Sequence, residues 1–307
     1  MAVFSYLVKR LTPAIMIGLI LATGCKESPT PDEGQPESQQ INNVEPAKDA
    51  KPTQQPPRAV TKPAAKPVAT KPARPKTIHD AAAAGDLAAV KGMLERPGAM
   101  LMVTNLQGNT PVHEAAFNGH LDVLEYLIKQ GFEVDAANRG GAQPIHLAAF
   151  NGQNDVIDLL IKSGAKVDAL DKSGRSPLFA AAANNHSETV VLLLDRGANV
   201  MLIDKEGKTP LIAACDRIAV ESAAQLVKAG ADVSVRDNEG HTALFYAVDR
   251  RLLPLAEGLL IAGADPNVGD KTGWRPLSIA RVRGDMPMME LLRSYGAEEA
   301  VPTAPAN

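Results

Sequence analysis

Cysteines are scarce in this sequence, and long apolar runs are missing. Cys25 and Cys215 are the only cysteines among 307 residues. The apolar run from Leu11 to Ala22 has about twelve residues, whereas a helix that spans a membrane needs roughly 20. The run is therefore too short to predict a transmembrane helix.

Complete catalytic and metal-binding motifs are also missing. A histidine–glutamate pair at His113 begins the zinc-protease pattern HExxH, but Phe117 stands where its second histidine is required. Residues 207–209 end like a phosphate-binding loop, yet Leu202 replaces the glycine that such a loop needs. No GxSxG motif occurs, and Cys215 lies in a slot that predicts a small buried side chain. We therefore predict a non-enzyme with no catalytic residue, no metal site and no cofactor.

The sequence has no excess of basic residues that would favour nucleic acid. It contains 32 Lys and Arg against 35 Asp and Glu. Residues 1–25 hold two of these bases, and residues 26–76 hold nine bases and six acids, which leaves 21 bases and 29 acids for residues 77–307. A segment with this net charge of −8 is a poor partner for phosphate backbones. The sequence therefore predicts no binding to nucleic acid.

What the sequence does contain is a motif that recurs every 33 residues. Residues 108–116 read GNTPVHEAA, and the first glycine of this motif returns at Gly141, Gly174, Gly207, Gly240 and Gly273. A second glycine keeps the same period at Gly131, Gly164, Gly197, Gly230, Gly263 and Gly296. A fixed period of this length predicts a stacked array of small structural units.

Each period carries the signals of two short helices. A Thr or Ser before Pro, as at Thr110 and Ser176, is typical of a helix start, because the hydroxyl caps the helix and Pro needs no N–H there. Gly119 and Gly152 predict a left-handed turn between the two helices. The first helix keeps alanine at Ala115, Ala148, Ala181, Ala214, Ala247 and Ala280, and the second keeps leucine at Leu127, Leu160, Leu193, Leu226, Leu259 and Leu292. No unit can cover its own apolar face, so neighbouring units should share one continuous core.

The GxTPLHxAA-like motif, followed by GAxV at this period, closely resembles the ankyrin repeat over about residues 77–297. The resemblance implies an all-α repeat solenoid in which helix pairs alternate with β-turn or hairpin loops. We predict seven units, at about 77–104, 105–137, 138–170, 171–203, 204–236, 237–269 and 270–297. The outer two should act as caps, since Arg281 and Arg293 replace apolar residues in the last unit. The resemblance also implies that His113 and His146 make structural hydrogen bonds between turns.

The same resemblance implies that hairpin tips and first helices line a concave surface that binds a partner protein. The tip candidates are Arg139, Lys172, Lys205, Glu206, Asn238, Glu239, Lys271 and Trp274. The first-helix candidates are Phe117, Asn118, Phe150, Asn151, Asp216, Arg217, Asp249 and Arg250. Aromatic and arginine side chains supply most interface anchors. For Phe117 and Phe150, packing between adjacent helices is an equally good interpretation.

The first 25 residues have the features of an export signal. Lys9 and Arg10 precede the apolar run, which ends in small residues before Cys25. Residues 21–25, LATGC, resemble a bacterial lipobox, although Ala22 stands where the strongest examples carry leucine. The resemblance implies a signal peptide over residues 1–24 and a lipid on Cys25. An ordinary signal peptide with an incidental cysteine is the alternative.

Residues 25–76 are predicted to form an unfolded tether. Residues 26–76 contain eleven prolines and almost no large apolar side chains, so burial cannot offset the entropy of ordering them. Residues 51–76 carry seven bases and no acid, and repulsion together with polyproline geometry should extend them. This basic block would touch anionic cell-wall polymer weakly, or it is simply a solvated spacer. Residues 298–307 are predicted to be a disordered tail.

Together these features predict a lipid-anchored, monomeric protein of the bacterial cell envelope that binds an envelope protein. By analogy with lipoproteins, Lys26 after the cysteine implies the outer membrane, with the repeats facing the periplasm. Two narrower hypotheses stay open. One is an immunity or inhibitor protein that blocks a periplasmic enzyme or toxin, and the other is an accessory factor that supports an envelope enzyme, for example in stress defence.

Overall fold

The computed structural model of the chain describes residues 77–96 and 103–299. These residues form fourteen α-helices and no β-strand. The first helices of successive pairs are α1 Ile78–Ala83, α3 Pro111–Asn118, α5 Pro144–Phe150, α7 Pro177–Ala183, α9 Pro210–Asp216, α11 Ala243–Asp249 and α13 Pro276–Val282. The second helices are α2 Leu87–Leu94, α4 Leu121–Lys129, α6 Asn154–Lys162, α8 Ser187–Asp195, α10 Val220–Lys228, α12 Leu253–Ile261 and α14 Met286–Ser294.

The first helices begin where the hydroxyl-and-proline signal predicts. The Ser176 hydroxyl accepts the backbone N–H of Phe179 at 3.1 Å, and the Thr209 hydroxyl accepts that of Ile212 at 3.2 Å. Each bond satisfies a backbone donor that has no partner inside the helix. Pro follows both caps at the first helical position, where its missing N–H costs nothing.

A left-handed residue ends the first helix of each pair. Gly119 and Gly152 have φ values of 79° and 71°, as the sequence predicts. Three later pairs place a side chain in the same slot, at Asn185, Ile218 and Arg251, with φ between 59° and 63°. A β-branched residue is strained in this region of backbone space, so the turn at Ile218 is held by the packing on either side of it.

The helices form two layers that share one core. First helices pack against the first helices of neighbouring pairs, and second helices pack against second helices. The buried apolar side chains form a single cluster that runs from Ala81 to Leu292. The predicted alanine and leucine slots lie inside it, with exposures of 0–1% in every pair from α3 onward. The all-α repeat solenoid is therefore confirmed, including the continuous core that no single unit could build alone.

The last pair presents polar side chains at the end of the stack. Arg281 and Arg293 are exposed, and both form ion pairs with Glu299. The backbone N–H of Glu298 donates to the Asn267 side chain at 2.8 Å. These contacts hold residues 298 and 299 against the end of the stack.

Across residues 77–96 and 103–299, no helix is both long enough and apolar enough to cross a bilayer. The predicted signal peptide, the candidate lipidation site Cys25 and the predicted tether lie outside the described residues.

Candidate functional site

Each loop between helix pairs folds into a tip around its first residue. In the tip of residues 204–208, the Asp204 carboxylate accepts the backbone N–H groups of Glu206 and Lys208, each at 2.9 Å. The Lys205 N–H donates to the Ser173 carbonyl of the preceding tip at 2.9 Å. The same bonds recur from tip to tip, so the chain lines up five exposed side chains at equivalent positions: Arg139, Lys172, Lys205, Asn238 and Lys271.

We call the surface made by these tips and the exposed sides of the first helices the inner face. Its tips are residues 105–109, 138–142, 171–175, 204–208, 237–241 and 270–274, and its helices are α3, α5, α7, α9, α11 and α13. All sixteen predicted binding residues belong to these tips or to the C-terminal ends of these helices. They do not form one cluster, because they are distributed over six successive units.

The inner face is apolar and aromatic at α3 and α5. The Phe117 and Phe150 rings stack with centroids 6.4 Å apart. Phe117 is half-buried, whereas Phe150 is 46% exposed. The Asn151 amide donates to the Phe117 carbonyl at 2.8 Å, and the Asn118 amide donates to the Glu114 carbonyl at 2.9 Å. The two rings therefore pack between adjacent helices and still present a large apolar surface to solvent.

The inner face is charged at α9, α11 and α13. The Asp216 carboxylate contacts Lys208 Nζ at 2.8 Å and Arg250 Nη2 at 2.7 Å. Asp249 contacts Arg250 at 3.7 Å and also pairs with Arg283. These contacts join three successive units into one chain of alternating charges.

This ion-pair chain shifts the titration of its members. Burial alone would raise the pKa of Asp216, but hydrogen bonds from Lys208 and Arg250 outweigh it and hold that pKa below the ordinary value. Burial would likewise lower the pKa of Lys208, and its hydrogen bond to Asp216 raises it instead. Both groups are therefore fully charged at neutral pH.

A groove of about 270 Å³ lies between the apolar and charged regions. It brings together four of the predicted residues, Phe150, Glu206, Asp216 and Arg217. It also contains residues that the prediction missed, namely Arg175, Phe179, Asn184 and Lys208. Arg175 and Lys208 occupy the last tip position, directly before the helix cap. Comparing that slot across the repeats singles them out, because the other units place Asn109, Ala142, His241 and Trp274 there.

Comparison with protein families agrees with this architecture. The family described as "Ankyrin repeats (3 copies)" matches residues 78–171 and 167–237, and "Ankyrin repeat" matches residues 239–271. These matches cover more than half of the sequence. The chain belongs to the ankyrin repeat family.

Two solved ankyrin structures show the extent of the similarity. The ankyrin repeat domain of human ASB11 is 25% identical with a TM-score of 0.65, and the match covers 73% of this chain and 99% of that one. The ankyrin repeat domain of Bcl-3, described as a unique member of the IkappaB protein family, is 30% identical with a TM-score of 0.60. That match covers 70% of this chain and 97% of the other. No curated protein matches the chain. Ankyrin repeats bind protein partners, so residues 78–271 form a protein–protein interaction module.

The ankyrin histidines are structural. The His113 ring accepts the Thr110 N–H at 3.1 Å through Nδ1 and donates through Nε2 to the Ala142 carbonyl of the next unit at 3.0 Å. His146 repeats the arrangement with the Arg175 carbonyl of the next unit at 3.2 Å, and its Nε2 also lies 3.0 Å from the Ala169 carbonyl. Burial lowers the pKa of both rings, so each is neutral and has its two nitrogens in use.

The last tip stands apart from the groove. Trp274 is 46% exposed, and its backbone N–H donates to the Asp270 carboxylate at 2.9 Å. Lys271 and the more central Asn238 and Glu239 are exposed as well. The ankyrin tip geometry therefore orients these side chains along the same row without bringing them to the groove.

Tyr246 is an inner-face residue that the sequence did not single out. Its hydroxyl donates to the Asp237 carboxylate at 2.8 Å, and Lys208 Nζ lies 5.3 Å from its ring centroid. Burial and the bond to Asp237 raise the pKa of Tyr246 above its ordinary value. The neighbouring His241 ring stacks on Phe245 with centroids 4.0 Å apart. Tyr246 therefore packs beside Lys208 of the charged region.

Cys215 lies in the core beside Asp216. It is fully buried, and burial together with the Asp216 charge raises the pKa of its thiol to about 12. It is therefore a protonated packing residue, as its slot predicts. Within the ankyrin residues that the structure describes, no group of three or more His, Cys, Asp and Glu could hold a metal ion.

Proposed function

We propose that this chain is a lipid-anchored protein of the bacterial cell envelope whose inner face binds another protein. In this proposal the ankyrin repeats face the periplasm from the outer membrane, act as a monomer and catalyse no reaction. The observation that best supports binding through the inner face is the stacked Phe117–Phe150 pair, which is partly exposed to solvent beside the groove.

The aromatic pair is suited to anchor a partner. Phe150 keeps 46% of its surface exposed. Removing an apolar ring of this size from water when a partner binds is favourable. The Asn151 amide fixes the backbone beneath the pair through its bond to the Phe117 carbonyl. A ring that is already held in position loses little entropy when a partner covers it.

Binding is tested by cross-linking the full chain in its native envelope. Changing Phe150 and Trp274 to Ala should abolish a specific cross-linked partner while the helical circular dichroism signal is kept, because both side chains are exposed anchors. Tyr295→Ala is the matched control, since Tyr295 is a 41% exposed aromatic at the C-terminal cap of α14, away from the inner face. A partner that survives the double substitution, or is lost equally with Tyr295→Ala, contradicts the chosen face.

The partner's own activity separates the narrower versions of the proposal. An inhibitor or immunity protein would block the bound enzyme or toxin in a one-to-one complex, whereas an accessory factor would leave the bound enzyme active.

Anchoring is tested separately. The LATGC segment supports a lipid on Cys25, and multiple acyl chains bind a membrane far more durably than one. The Cys25→Ser variant should lose incorporation of labelled palmitate and move from the membrane fraction to the soluble periplasmic fraction. If Cys25→Ser still sediments with the membrane to the wild-type extent, Cys25 is not the anchor, and the ankyrin-binding proposal is unaffected.

A further inference from the structure

The charged region of the inner face follows a rule from one unit to the next. Arg250 Nη2 contacts the Asp216 carboxylate at 2.7 Å, and Arg283 pairs with Asp249 in the same way. In both pairs the arginine caps its first helix and reaches the aspartate 34 residues earlier. That aspartate is the last residue of the preceding first helix.

Arg217 occupies the same slot one unit earlier, but its acceptor is missing. It caps α9 just as Arg250 caps α11, and the residue 34 positions earlier is Ala183, the last residue of α7. Ala183 has no carboxylate to offer. Within residues 77–96 and 103–299, the exposed Arg217 side chain forms no ion pair.

The other charged residues that line the groove are already paired. Asp171 is held by Arg175 at 2.8 Å, and Glu206 contacts Lys208 at 3.2 Å. Asp216 is held by Lys208 and Arg250, and Asp204 accepts the N–H groups of its own tip. Among the Lys and Arg residues of the groove that the structure describes, Arg217 is thus the one left without a counterion.

The surroundings of Arg217 are apolar on the side of the missing acceptor. Phe150, Phe179, Ala180 and Ala183 line the groove there. A partner that covers these apolar side chains would exclude water from the guanidinium, so a charge-assisted hydrogen bond formed under it is stronger than one on an open surface. The tip residues Lys172 and Lys205 are exposed and add positive charge at the adjoining tips.

We propose that Arg217 receives a carboxylate from the partner protein, an Asp or Glu side chain with an apolar neighbour that packs on Phe150 and Phe179. This inference rests on the proposed binding function of the inner face. The partner's acid takes the place that Asp216 and Asp249 fill for the next two arginines. A guanidinium matches a carboxylate through two parallel N–H···O bonds, which is why a single acid suffices.

The test uses the purified full chain and a displayed library of random short peptides. Peptides selected by the wild-type chain should be enriched in Asp or Glu next to an apolar residue. Arg217→Gln should remove this acidic preference and weaken a representative acidic peptide roughly tenfold, because a charge-assisted bond is lost. Arg196→Gln is the control, since Arg196 pairs with Asp158 across α6 and α8, outside the inner face.

Ala183→Asp is the second and sharper variant. It installs the acceptor that Asp216 and Asp249 provide elsewhere, so Arg217 should pair within the chain and the acidic preference should disappear although the arginine is still present. Its melting temperature should equal or exceed that of the wild type, which distinguishes blocking from misfolding.

The outcomes separate the inference from the function on which it rests. The role of Arg217 is overturned if the selected peptides show no acidic preference, or if that preference survives both Arg217→Gln and Ala183→Asp. If those peptides are still lost with Phe150→Ala, the inner face remains the binding surface. If Phe150→Ala and the wild type bind them equally, or if the library yields no binder, the proposed function fails together with the inference. A phosphopeptide preference that Arg217→Gln abolishes would assign the arginine to phosphate and also overturn the carboxylate.

Discussion

The same slots of the inner face carry opposite chemistry at its two ends. At the C-terminal ends of α3 and α5 stand the pairs Phe117–Asn118 and Phe150–Asn151, whereas the corresponding pairs at α9 and α11 are Asp216–Arg217 and Asp249–Arg250. The backbone beneath them is the same, with a fully buried alanine slot and leucine slot in each unit. The difference teaches that the ankyrin scaffold sets where these side chains lie and leaves their chemistry free.

The two ends also differ in how far their side chains are satisfied within the chain. The charged end is held by its own ion pairs, as at Asp216 and Arg250, so these groups gain little from an additional partner. The aromatic end keeps Phe150 exposed beside the groove. Stability and binding are therefore divided between the two ends, and Arg217 lies where they meet.

The largest effect is expected in the shared core, where the two ends should not differ. Leu160→Ala below the aromatic end and Leu226→Ala below the charged end each remove a fully buried side chain. Each should lower the free energy of unfolding by about 3 kcal/mol, measured by denaturant unfolding with circular dichroism. A large difference between the two values would show that the ends do not rest on one core.

A smaller effect separates the ends at neutral pH. Asp216→Asn removes the carboxylate that holds Lys208 and Arg250, and it should cost about 1–2 kcal/mol of unfolding free energy because two charge-assisted bonds are weakened. Phe150→Ala should cost less than about 1 kcal/mol, since nearly half of the ring is already exposed. Equal losses in the two variants would contradict the division of roles.

The pH dependence sharpens the same comparison. The folded pKa of Asp216 lies below its ordinary value, so its contribution is complete above the unfolded pKa of about 3.9 and is lost as pH falls through the folded value. The stability gap between the wild type and Asp216→Asn should therefore be constant near neutrality and close in acid. The gap between the wild type and Phe150→Ala should not follow this profile.

The smallest effect concerns the strained turn between the two ends. Ile218 is 54% exposed with φ of 63°, in the slot where Gly119 and Gly152 stand in the aromatic units. Ile218→Gly should raise the unfolding free energy by about 0.5–1 kcal/mol, because relief of left-handed strain exceeds the entropy cost of glycine. Gly152→Ile, the reciprocal change, should destabilise the chain. Unchanged stability in both would mean that the slot is not strained.

The sequence predicts the repeated parts of this structure well, because each is signalled by local chemistry. The alanine and leucine slots and the caps at Ser176 and Thr209 follow from a motif that returns every 33 residues. The histidine bonds between turns are implied by the resemblance of that motif to the ankyrin repeat. The left-handed slot is predictable where it holds glycine and not at Ile218, because a β-branched side chain gives no signal for positive φ.

The candidate site was only partly predictable. The sixteen predicted residues do lie on the tips and first helices, but the sequence does not show which charges neutralise one another. The Arg250–Asp216 pair joins residues 34 positions apart, so it depends on the relative orientation of two adjacent first helices. The groove residues Arg175 and Lys208 differ in this respect, because comparing the last tip position across the repeats singles them out.

The row of tip-to-tip hydrogen bonds has a consequence for how the length of the inner face can change. Each tip amide needs a carbonyl at one fixed spacing behind it, as Lys205 needs Ser173. A whole unit can therefore be duplicated or deleted and the ladder closes again, whereas an insertion of any other length leaves donors without acceptors. Lineages of this chain should lengthen or shorten their footprint in steps of one full period.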